Sequence, residues 1–164
     1  MKKVLIFILI FYLLTLIQTS FFFHFNLFGV TPNLVFILVI LFNFLEKKEK
    51  SDGLIIATVG GFCLDLFSFL SLGISIFLLF FIAFLIKKFL KPLIEENIIH
   101  FAFVLLGSFV FYSIFSILIN SLLDFSLPHF FVWNKLIVVE LFYNLLVGLI
   151  FYLIFLCSKR ILER

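Results

Sequence analysis

The chain is a succession of long apolar runs broken by short polar clusters, and the clusters divide it into six segments. The first, about residues 4–23, holds about 20 residues. At about 1.5 Å per residue, a helix of that length spans the roughly 30 Å hydrocarbon core of a bilayer. It outruns the 7–15-residue core of a signal peptide and no A-x-A-like site follows, so a retained first membrane helix is expected. His24 to Pro32 reads as a turn, with Thr31 placed to cap a helix that begins at Pro32. The second segment, 32–45, is short for a crossing, through either a short helix or a locally thinned bilayer. Residues 46–52 read as an aqueous loop. From Leu54 to Ile86 the chain is apolar over 33 residues, too long for one straight helix. Asp65, Ser68, Ser71 and Gly73 split it into a hairpin of 53–67 and 73–86. After the polar cluster 87–97 come segments 98–122 and 133–157, joined through Asp124, Pro128 and His129.

Composition excludes whole classes. Hydrophobic residues make up 65% of the 164 and charged ones 13%, with mean hydropathy +1.38. Globular chains average about 45–50% apolar and about 25% charged, and no water-soluble fold of this length hides so much apolar surface. Soluble enzymes, nucleic-acid binders and disordered chains are therefore out. The expected fold is all-α: a compact bundle of six transmembrane helices forming one integral-membrane domain over 1–164. The 29 Phe suit lipid-facing positions. Cys63 and Cys157 sit in apolar runs without metal-ligand spacing and read as packing residues.

Charge placement sets the orientation. If both termini, the 46–52 loop and the 87–97 loop share one side, that side holds 11 of the 12 Lys and Arg residues, and Lys135 alone lies opposite. Short loops rich in Lys and Arg stay cytoplasmic. Six crossings with both termini cytoplasmic follow, in a multi-pass protein of the bacterial cytoplasmic (inner) membrane.

The informative residues are those that hydrocarbon rejects. A central Asp costs roughly 2.5–3.5 kcal/mol on insertion scales, so such groups face the bundle interior, carry a proton or find a partner. Asp65 lies toward the outer end of segment three, and Glu140 and Asn144, four apart and on one helix face, lie in the outer half of segment six. Asn33, Gln18, Asn120 and Asp124 fall at outer ends as well. The gathering fits either a polar outer cavity or helix-to-helix bonding. Gly60, Gly61, Gly107 and Gly148 read as close-packing positions, and Trp133 and Tyr12 as interface anchors or packing residues. No catalytic constellation stands out: Ser108 has no His at its depth, and Asp65 with Glu140 lacks a recognisable motif. No enzyme, metal or cofactor is expected.

The run Thr31-Pro32-Asn33-Leu34, the basic loop, then Gly61-Phe-Cys-Leu-Asp65-Leu-Phe-Ser68 and Leu72-Gly73 resembles the bacterial rod shape-determining MreD family. That family carries Pro-Asn or Pro-Asp at the start of its second helix, a Gly-x-x-x-Asp-Leu-x-Ser run and a Leu-Gly shortly after. The motif resemblance covers about residues 31–86. Thr31 stands where the family usually has a basic residue. The resemblance implies motif roles for Pro32, Asn33, Gly61, Asp65 and Gly73. It also implies a non-enzymatic scaffold or regulator of the rod machinery that supports lateral peptidoglycan synthesis and cell shape. The implied partners are MreC first, then the MreB filament, a RodA-type glycosyltransferase and an elongation transpeptidase, with the lipid bilayer around it and no nucleic acid. Because the family is structurally similar to substrate-binding components of energy-coupling-factor vitamin transporters, that role is the alternative. Those components usually carry an Ala-x-x-x-Ala pattern on helix one, and the absence of any small residue from Val4 to Ile17 argues against that role.

Overall fold

In the computed structural model the described residues are 2–21, 24–26, 28–47, 50–67, 72–124 and 130–162. They form six α-helices: α1 (Lys2–Ser20), α2 (Leu34–Leu45), α3 (Asp52–Phe67), α4 (Ile74–Leu85), α5 (Ile98–Asp124) and α6 (Phe130–Leu162). A π-helical turn, Ile86–Leu90, continues α4. Ser68 and Ser71 lie outside the described residues, as do the side chains of Asn120, Asp124, Trp133 and Lys135.

Helix α2 occupies the centre. Leu34, Val35, Phe36, Ile37, Val39, Ile40, Leu41 and Phe44 are all buried, and Asn43 is fully enclosed. A helix apolar on every side belongs inside a protein rather than at a surface. It packs against each of the other five helices. At 12 residues it is about 18 Å long, and protein side chains bond to both of its ends.

The other helices turn apolar side chains outward. Leu5, Ile6, Leu9, Leu13 and Ile17 of α1 are exposed, as are Ile99, Phe103, Ile114 and Leu118 of α5 and Phe142, Leu146, Ile150 and Ile154 of α6. By length and composition, Ile98–Ile119 and Leu136–Lys159 can cross a membrane, while Leu5–Ser20 and Leu34–Leu45 are shorter apolar helices.

Several boundaries differ from the sequence expectation, each for a local reason. Helix α1 stops at Ser20 rather than near residue 23; Thr15 and Thr19 turn their hydroxyls back to the carbonyls of Phe11 and Thr15 at its end. Residues Phe28 (φ 54°) and Gly29 (φ 85°) then take left-handed conformations that a helix cannot continue. Helix α2 is capped by Asn33 rather than Thr31: the Asn33 side chain accepts from the Phe36 amide at 3.0 Å, and Pro32 lies before the cap. Helix α6 runs on to Leu162, past the expected 157; Lys159 suits the electronegative end of a helix.

Helices α3 and α4 form the most extensively packed helix pair among the described residues. Gly61 makes it possible. A Cβ there would stand 2.5 Å from the Ile76 Cα and 2.7 Å from the Ser75 carbonyl oxygen, so only glycine lets the two backbones meet. Gly73, at φ +101°, turns the chain into α4.

Candidate functional site

Two clusters of polar side chains among the described residues lie at the ends of the bundle, while Ser108 is buried midway along α5. At the first, the capping end, α2 and α4 both begin. A helix start leaves four backbone N–H groups without partners, and buried N–H groups must be satisfied. Asp65, one turn along α3 from Gly61, does this for α4. Its Oδ2 accepts from the Gly73 amide at 2.8 Å and from Ile76 at 3.3 Å, and its Oδ1 accepts from Ser75 at 2.9 Å. The negative charge also suits the positive end of that helix dipole. The Ser75 hydroxyl meets the Tyr112 hydroxyl of α5 at 2.9 Å. For α2, Asn144 of α6 accepts from the Asn33 amide at 2.7 Å, and Gln18 of α1 accepts from the Leu34 amide at 3.0 Å.

Pro32, Asn33, Gly61, Asp65 and Gly73 therefore all lie at helix starts or at the close α3–α4 approach, and Asn144 joins Asn33. Glu140 does not join that network. It lies one turn from Asn144 and within Coulombic reach of the Tyr112 hydroxyl, yet it makes no hydrogen bond or ion pair among the described residues. The Asn144 amide nitrogen is buried and also lacks an acceptor.

At the opposite, basic end, the loop after α2 meets the π-helical turn. Glu46 and Lys87, 8% and 7% exposed, form a buried ion pair. Glu46 also accepts from the Gly53 amide at 2.9 Å, and Lys87 donates to the Lys50 carbonyl. Asn43 donates to the Val39 and Gly53 carbonyls at 2.9 and 3.1 Å. Lys91, four residues beyond Lys87, donates to the Phe44 carbonyl, caps the end of α2, and pairs with Glu96 at 2.8 Å. The Tyr152 hydroxyl donates to the Glu96 carbonyl at 3.2 Å. Asn43 Oδ1 and Glu46 Oε1 remain buried without a donor. A cavity of about 490 Å³ opens here between α1, α2, the start of α3 and the end of α6.

The sequence pattern did not signal this second cluster. Glu46 and Lys87 read as members of aqueous loops, whereas both are buried. A usable signal was present: Asn43 and Glu46 are three apart, on one face at the end of an apolar helix. Tyr112 was missed among the many Phe of its segment.

A family model described as rod shape-determining protein MreD matches residues 1–160. The chain belongs to the MreD family. The match extends the motif resemblance of residues 31–86 to almost the whole chain, and the family is one of bacterial membrane proteins with a role in determining rod shape. No curated protein matches the chain, and no solved structure does. In this MreD-family chain, the motif residues thus build the hairpin and helix starts of the capping end, while the buried ion pair stands at the far end.

Proposed function

We propose that this chain is a non-enzymatic scaffold or regulator in the bacterial inner membrane, acting in the cell-elongation machinery to support lateral peptidoglycan synthesis. The observation that carries this reading is the MreD family match over residues 1–160. MreC is its first partner. The MreB filament, a RodA-type glycosyltransferase and an elongation transpeptidase are reached directly or through MreC.

In this reading all six helices traverse the membrane region and both termini are cytoplasmic. Two observations support that topology. Phe7 of α1 and Phe155 of α6 line the same cavity as Lys47 and Lys50, so the start of α1 and the end of α6 share the basic end. Lys87, Lys88 and Lys91 lie there too, as the preference of Lys and Arg for the cytoplasmic side requires. Asp65, Asn33 and Asn144 then lie toward the outer face, engaged in helix starts within the bundle. Glu140, with no bond of its own among the described residues, is the group left to orient a partner segment.

Depletion of the protein followed by microscopy tests the role. Rounded cells that have lost lateral growth are the expected result; cells that stay rod-shaped while a vitamin-uptake assay fails would point to the transporter reading. MreC is expected to co-purify in mild detergent. Glu140→Gln is expected to weaken rod-shape support while inserting normally. A Glu140→Gln strain with normal shape removes Glu140 from the proposal.

A further inference from the structure

The cavity at the basic end has apolar walls and a cationic mouth. Phe7 and Phe11 of α1, Leu38, Phe42 and Leu45 of α2, and Phe155 of α6 form the walls. Lys47 and Lys50 stand at the mouth with exposed side chains, and neither ammonium is ion-paired among the described residues. Lys159 lies one turn beyond Phe155 on the same face of α6 and is exposed as well. Two carboxylates line the cavity. Glu46 is neutralised by Lys87, and Asp52 sits in the first turn of α3, where a helix start favours negative charge. The local balance at the mouth is therefore cationic.

We propose that this cavity binds an anionic phospholipid of the cytoplasmic leaflet, with one acyl chain between α1, α2 and α6 and the phosphate against Lys47 and Lys50. The volume, about 490 Å³, is within the roughly 300–1,000 Å³ of ligand sites. It is too small for a helix from a partner: a cylinder about 10 Å across fills roughly 800 Å³ in two turns. An apolar slot alone would take any chain-bearing lipid. The lysines select for negative charge, since basic pockets between membrane helices on the cytoplasmic side attract anionic headgroups. The inference rests on the membrane placement proposed above and is independent of the rod-shape role, because the binding measurement makes no use of cell shape.

The test is native mass spectrometry of the full chain in detergent micelles with dioleoyl-phosphatidylglycerol or dioleoyl-phosphatidylcholine, which share acyl chains and differ in charge. One phosphatidylglycerol is expected to be retained per chain, with about thirtyfold preference over phosphatidylcholine for two lysines near a phosphate. The double variant Lys47→Gln/Lys50→Gln is expected to bring that preference close to one while leaving chain binding in place. Leu38→Trp, which fills the slot, is expected to abolish retention of both lipids, and Ile10→Trp, at a second residue lining the cavity on α1, does the same if the first variant fails to fold. Equal retention of the two lipids by the unaltered protein overturns the proposal. So does a preference that survives removal of both lysines, retention in a folded slot-filled variant, or displacement of the lipid by glycerol phosphate, which has no chain. A co-purified polypeptide that protects the slot in place of lipid overturns it as well.

Discussion

At the capping end the carboxylate Asp65 serves three backbone amides; at the basic end the carboxylate Glu46 serves one amide and an ammonium. The difference follows from what each end must satisfy. Helices α2 and α4 both begin at the capping end, and Asp65, Asn33, Asn144 and Gln18 are acceptors matched to their N–H donors. At the basic end α2 finishes and α3 begins: Glu46 accepts from the Gly53 amide at the start of α3, while the ammonium groups of Lys87 and Lys91 reach the carbonyls of Lys50 and Phe44. Lys87 is buried in doing so and needs Glu46 as counter-charge. Polar side chains inside this bundle are thus first explained by backbone bonding. In lipid the driving force that gathers apolar helices in water is absent, so such bonds and close packing carry a larger share of the cohesion.

The comparison breaks most sharply at the buried pair. Lys87→Met leaves Glu46 charged and enclosed, and removing one partner of such a pair costs about 3–5 kcal/mol. The expected outcome is a loss of that size in unfolding free energy, measured by SDS titration in mixed micelles. Glu46→Gln/Lys87→Met removes the charge from both sides and is expected to recover most of the loss. Equal losses in the single and double variants would mean that the pair contributes through packing rather than charge.

Next in size is the α3–α4 hairpin. Gly61→Val drives a branched side chain into the Ile76 backbone, and overpacking costs about 1–3 kcal/mol where the neighbour can shift; backbone shifts less readily than a side chain. Gly107 supplies the contrast. A Cβ there meets nothing within 4 Å, so Gly107→Val is expected to change stability by no more than about 0.5 kcal/mol, as at an unconstrained surface site. The sequence pattern treated both glycines as close-packing positions, and the structure separates them.

That separation shows where a linear reading is strong and where it runs out. Asp65 stood out because a carboxylate inside an apolar run has few explanations, and the hairpin around it followed from a 33-residue stretch that no single helix accommodates. Gly61 lies four residues before Asp65, so one helix face carries both the close approach and the cap. Glu46 and Lys87 were illegible for the opposite reason. Each opens a charged cluster where aqueous loops are ordinary, and nothing local reveals that two such clusters, 41 positions apart, fold onto one another. The cavity was hidden likewise, since its walls come from four helices and its residues are the commonest types in the chain. The central placement of α2 was also out of reach: its shortness was visible, but the reason for it, a helix met by protein at both ends, depends on Gln18, Asn144 and Lys91 arriving from elsewhere.

The smallest expected effect concerns the cap of α2, and it sharpens the distinction between acceptors that serve backbone and groups free to act. Asn33→Ala removes the side-chain acceptor of the Phe36 amide but leaves its own N–H bonded to Asn144. Loss of an N-cap side chain costs typically about 1 kcal/mol, so a modest fall in SDS-unfolding free energy is expected. Asn33→Asp keeps an acceptor in place and is expected to restore the loss, with a small further gain from negative charge at a helix start. Both variants are expected to leave MreC co-purification unchanged, since Asn33 acts within the bundle. Co-purification lost in Asn33→Asp at full stability would instead place this residue on a partner surface, and the capping end would then be as much a contact site as a set of helix caps.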